Sequence, residues 1–164
     1  MPRSGVADCD HAMTATSRTI DDVISRLTTI VDDAKTDGSR LGYFPALYRK
    51  VTIEVRDGIA NGVFDDGPRM ERLDVLFASR YLDAFDAYRE GDALTRSWQC
   101  AFDVTDQWWP IVLQHLLLGI NAHINLDLGI AAARVAPGPQ LPALHGDFSR
   151  INGILASLVG EVQD

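Results

Sequence analysis

Apolar residues return every three or four positions through most of the chain, the period of helices that each bury one face. Ile20, Val23, Ile24, Leu27, Ile30, Val31 and Ala34 form the first such stripe. Ser17 or Thr19 can cap it, Asp21 and Asp22 suit the positive end of its dipole, and the polar TDGSR (36–40) ends it. A second helix starts near Pro45 and sets Leu47, Tyr48, Val51, Val55 and Ile59 on one side. The turn DDGP (65–68) launches a third, running to about Glu90, with Met70, Leu73, Leu76, Phe77, Tyr81, Ala84 and Tyr88 as its stripe. A fourth begins after Thr95 and carries Trp98, Ala101, Phe102 and Thr105, and Pro110 suits the first turn of a fifth. The Pro- and Gly-rich stretch 134–146 reads as a loop. Asp147 then caps a last helix with Phe148, Ile151, Leu155, Leu158, Val159 and Val162 on one face. No strand-like alternation of useful length and no internal repeat interrupts this pattern. The expected fold is all-α: a single-domain bundle of about six helices around a buried central helix over 110–133. Residues 1–16 read as a disordered leader, and 17–164 as the domain.

Composition narrows the function classes. A chain of 164 residues with 46% hydrophobic and 23% charged residues is one globular domain with a sizeable core. Its net charge of −8 and pI near 4.8, with no basic run, make nucleic acid and anionic membrane surfaces poor partners. Cys9 and Cys100 form neither a disulfide framework nor a metal-ligand spacing. The N-terminus lacks the continuous apolar core of a signal peptide, so the cytoplasm is the expected location. The stretch 111–133 is long enough to span a bilayer, and Trp108 and Trp109 flank it. Asp127 near the bilayer centre would cost about 2.5 to 3.5 kcal/mol, and His115, Asn121, His123 and Asn125 add to that. A helix buried within protein is the preferred reading, with no membrane partner.

The polar residues of that stretch carry the candidate chemistry, because buried polar groups cost free energy unless paired. His123 and Asp127 are four residues apart and share a helix face, with Asn121 and Asn125 on another. Three uses are open to the His–Asp pair. It can chelate one divalent metal ion, act as a general acid/base in which the carboxylate orients the imidazole, or simply satisfy itself in the core. His115 lies about 12 Å along the axis from His123, too far to share one ion, so a metal site would need Glu54, His145 or Asp147. Asp147 reads more readily as a helix cap, and His145 as a solvated loop residue. Arg80 falls at the centre of the third helix's stripe and needs an anion, either Asp127, Glu54 or an acidic group of a substrate. Gly119 and Gly129 each cost a helix about 1 kcal/mol relative to alanine. Gly119 projects between His115 and His123, so one pocket lined by all three is expected. Trp98, Trp108, Trp109, Tyr43 and Tyr48 are candidates for its aromatic wall.

LYRKVT (47–52), FASRYLDAF (77–85) and above all QHLLLGINAHINLDLGIAAA (114–133) resemble a bacterial helical family known only as a domain of unknown function. The resemblance covers roughly residues 40–160. It implies an all-α fold, assigns no activity, and implies that members continue past the last helix here.

Two functional readings follow. In the first, the chain is a small-molecule enzyme of hydrolase, lyase or cyclase type. His123 is its general base or metal ligand, Asp127 orients it or shares the metal, and His115 is a second acid/base group. Arg80, Asn121 and Asn125 then bind the substrate. In the second, the protein is non-catalytic and binds a ligand or partner, and the His/Asn/Asp/Arg network serves packing. A homodimer through the first helix's apolar surface is compatible with either. No GxSxG, GxxxxGK[ST] or GxGxxG occurs, and HINLD is not the HExxH of zinc proteases.

Overall fold

The computed structural model describes residues 19–161, with side chains to 158; the expected leader at 1–16 lies outside them. Six helices account for the described chain: α1 (Ile20–Asp37), α2 (Tyr43–Ala60), α3 (Gly67–Glu90), α4 (Arg96–Asp103), α5 (Val112–Val135) and α6 (His145–Glu161). The fold is an all-α single domain, with no strand among the described residues.

Local chemistry sets the boundaries. Thr19 caps α1 in a reciprocal pair with Asp22, the threonine hydroxyl accepting from Asp22 N–H at 3.1 Å and the Asp22 carboxylate accepting from Thr19 N–H at 3.0 Å. Gly38 closes the same helix at φ 63°, a left-handed conformation natural to glycine. Asp66 caps α3 by accepting from Arg69 N–H at 2.9 Å, with a proline in the first turn. The stretch 134–146 is more ordered than a loop: α5 runs through Val135, and a 3-10 segment, Gly138–Leu144, leads into α6.

The middle of the bundle differs from the expectation. The helix that packs against α1, α3, α5 and α6 is α2. The long α5 buries one face only, through His115, Leu116, Gly119, Ala122, His123, Asp127 and Ala131. Only 33% of its most apolar window is buried. Leu117, Ile124 and Leu126 face outward, and Trp108 and Trp109 precede it exposed. High hydrophobicity therefore overstated its burial. By length and composition α5 is able to cross a membrane; His115, His123 and Asp127 lie on the face turned to the bundle, and Arg134 near its end is exposed.

The stripe on α3 is also rotated from the expected one. Met70, Leu73, Asp74, Ala78, Tyr81, Leu82 and Phe85 are buried, whereas Leu76, Phe77, Ala84 and Tyr88 are only partly covered. The rotation draws an acidic residue, Asp74, into the core.

Candidate functional site

α5 changes pitch where its polar residues lie. His123–Leu128, the HINLDL stretch, forms a π-helical segment between two α-helical stretches. Such insertions are rare and are frequently found at functional sites. The widened turn brings His123 and Asp127 onto the buried face together, with Nδ1 of His123 3.6 Å from Oδ2 of Asp127. That separation exceeds ordinary hydrogen-bond length, so the pair attracts without making a full bond.

Asp127 is bonded on its other sides. Arg80 Nε donates to Oδ1 at 2.6 Å, and the indole N–H of the buried Trp98 donates to Oδ2 at 2.9 Å. Burial alone would raise the Asp127 carboxyl, but the contacts from His123, Trp98 and Arg80 outweigh it and hold the group below the usual carboxylate range. Arg80 reaches Asp127 from outside the main cavity, and its side chain is 28% exposed, lying over an open depression between α3 and α4.

His123 stands among aromatic rings. Phe77 stacks on it at 3.5 Å, and Tyr48, Phe44, Trp98 and Tyr81 surround it at centroid distances of 4.8 to 6.3 Å. Neither ring nitrogen has a hydrogen-bond partner among the described residues. Burial pushes the imidazole down to about 4, and the opposing pull of Asp127 does not restore it, so His123 is neutral at pH 7.

One edge of this assembly borders a cavity of about 80 Å³ between α2, α3, α5 and α6. Its walls are mainly apolar, including Leu47, Val51, Val55, Leu73 and Leu155, and it also meets Tyr48, Asp74 and His123. Asp74 is 6% exposed, and its Oδ2 has no hydrogen-bond partner among the described residues; the Tyr48 hydroxyl is likewise unpaired. Burial, reinforced by the Glu71 charge, raises the Asp74 carboxyl to about 7. Burial first, then the Asp74 and Asp127 charges, push the Tyr48 hydroxyl well above its usual range.

The sequence-expected residues divide accordingly. His123, Asp127 and Arg80 are brought together. His115 is buried elsewhere, beside Tyr43 and next to a small cavity of about 20 Å³ that it shares with Arg40 and Gly119. Burial and the Arg40 guanidinium lower its imidazole, against a weaker upward pull from the Pro110 backbone. The expected single pocket is thus two, with Phe44 bordering both. A methyl group on Gly119 would stand 2.4 Å from the Phe44 ring, so close packing explains that glycine. Asn121 and Asn125 are exposed on the outer face of α5, apart from the cavity. Of the expected aromatic wall, Tyr48 lines the cavity and Trp98 holds Asp127, while Trp108 and Trp109 are exposed.

Glu54 and His145 are exposed on α2 and α6, while His123 and Asp127 are buried on α5. Among the described residues no three His, Cys, Asp or Glu side chains converge as a ligand set. The four-residue metal constellation is therefore not assembled. Asp147 does not cap α6 as expected. It is the third residue of α6, fully buried, accepting from Asp65 N–H at 2.7 Å, Arg150 Nη1 at 2.8 Å and Arg69 Nη2 at 2.9 Å.

Asp74 is the member that sequence reading missed, and a signal for it existed. It stands four residues after Met70 and four before Ala78, squarely within a buried stripe.

A family model described as a family of unknown function (DUF5995) matches residues 20–164. The chain belongs to that family. No curated protein and no solved structure matches it. Membership agrees with the all-helical resemblance carried by the long histidine motif, and it assigns no chemistry to the site.

Proposed function

We propose that the protein is a small-molecule enzyme performing proton-transfer chemistry in the cavity between α2, α3, α5 and α6. The observation that carries this reading is His123 at the cavity wall, its ring nitrogens without a hydrogen-bond partner among the described residues and the Asp127 carboxylate beside it. An uncharged imidazole is able to accept a proton, and the carboxylate 3.6 Å behind it stabilises the cation that results. Arg80 and Trp98 fix the carboxylate, and so act as positioning residues. Asp74, raised to about 7, is present in both protonation states near neutrality and suits the complementary role of proton donor. Hydrolase, lyase and cyclase reactions all need one proton taken and one given, so the pair serves any of these classes. Largely apolar walls with a few polar groups of displaced pKa are the usual make-up of a small-molecule site.

The test is turnover on a panel of small apolar esters, amides and carbon acids by the wild-type protein and His123→Gln. Turnover that disappears in the variant, at an unchanged Tm, supports the enzyme. Binding without turnover by either protein favours a second reading, a non-catalytic binding module. The observation favouring that reading is that both Asp127 oxygens are already engaged, by Arg80 and Trp98.

A further inference from the structure

The cavity's inventory of charge is one-sided. Its lining includes Asp74 and no lysine or arginine. An anionic ligand would find no counter-charge there. Buried carboxylates are ordinarily paired or hydrogen-bonded, whereas Asp74 Oδ2 has neither among the described residues. The Tyr48 hydroxyl and the His123 ring nitrogens are also without partners among them, and all three side chains line the same space. Each can accept a hydrogen bond. Four aromatic side chains, Phe44, Tyr48, Phe77 and Phe148, belong to the same lining, and aromatic rings tolerate a neighbouring cation.

We propose that this cavity takes a short apolar primary amine in its ammonium form, with the cation on Asp74 and the alkyl part among Leu47, Val51 and Val55. An ammonium group has three N–H donors and no acceptor, which suits a wall where Asp74, Tyr48, His123 and Asn152 all carry acceptors and none is a cation. The volume sets the size. An engineered cavity of about 150 Å³ holds benzene, so the present 80 Å³, about half of that, suits a chain of roughly three or four heavy atoms. This assignment rests on the cavity being the substrate site and adds the chemical class, with Asp74 ionised to hold the cation in place of donating a proton.

Titration calorimetry at pH 7.5 on the full chain, with n-propylamine, n-propanol and propionate as probes, tests it. The amine is expected to bind at least about tenfold more tightly than either isostere, the factor that a charge-assisted hydrogen bond supplies. Asp74→Asn is expected to erase that preference while keeping a cooperative melt. If propanol or propionate binds as well as the amine, the amine class falls and the cavity remains a binding site; if Asp74→Asn keeps the preference, the seat of the cation on Asp74 is overturned. If none of the three binds, both the amine class and the cavity as substrate site are overturned.

Discussion

Two carboxylates buried in this bundle have opposite fates. Asp147 receives three hydrogen bonds, one from the backbone of Asp65 and two from the guanidinium groups of Arg69 and Arg150. Burial would raise its carboxyl, yet these partners hold it below the usual range. Asp74 has an oxygen without a partner among the described residues, and burial raises it to about 7. The first arrangement ties the start of α6 to the turn between α2 and α3. The second leaves an unmet demand beside a cavity. Burial alone does not distinguish a structural from a functional acid; the supply of donors does.

The largest effect should come from breaking the satisfied site. Asp147→Ala leaves Arg69, whose side chain is 14% exposed, without its main partner, and is expected to cost about 3 kcal/mol in urea unfolding. The contribution of Asp147 is present above the unfolded carboxylate pKa and is lost as pH falls through the lower folded value. The wild-type excess over the variant should therefore shrink below about pH 4.

Asp74 and His123 sharpen the contrast through pH. A carboxyl raised to about 7 makes folding less favourable as pH climbs from about 4 to 7, because the native state then retains a proton that the unfolded state releases. An imidazole lowered to about 4 works the other way: stability falls as pH drops from about 6.5 to 4. The two slopes oppose each other in the wild type. Asp74→Asn should expose a Tm that rises with pH over this window, and His123→Phe one that falls. At pH 8, Asp74→Asn should gain stability, by less than Asp147→Ala loses, because the buried amide also leaves polar atoms to satisfy. Matching pH profiles for the two variants would mean that neither group titrates as placed. The groups facing this pair are Glu71 and Phe77 on α3, Tyr48 on α2 and Asp127 on α5, with Arg80 behind Asp127.

The smallest effect lies outside both sites. A methyl group at Gly129 meets nothing within 4 Å, and the residue has helical φ −60°, so Gly129→Ala should raise stability by about 0.5 to 1 kcal/mol in thermal melts. Gly119→Ala, facing Phe44, should lower it.

The period of apolar residues was enough to locate six helices, because amphipathic spacing and caps such as Thr19, Asp66 and Gly38 act locally. The joining of Arg80 to Asp127, 47 residues away, was legible for a different reason: a buried guanidinium and a buried carboxylate leave each other few other partners. What escaped was rotational. Composition ranks how apolar a helix is without saying which side meets protein, so it places α5 at the centre of the bundle although only one face is covered. Asp74 was missed because a single acid inside a stripe looks like an error in its phase. His115 and His123 were assigned one pocket because projection ignores the neighbour, Phe44, that borders both of the cavities they line.

The π-helical segment has a consequence for the geometry of α5 as a whole. Each residue of an α-helix advances about 100° around the axis, so one additional residue in a turn delays everything after it by that angle. Without the delay, the direction set by His115 and Gly119 would have drifted off the bundle by Asp127 and Ala131; with it, both return to the buried side. The segment behaves like a leap day in a calendar. One inserted position keeps two cycles of slightly different length aligned, and the counting of faces restarts at Gly129.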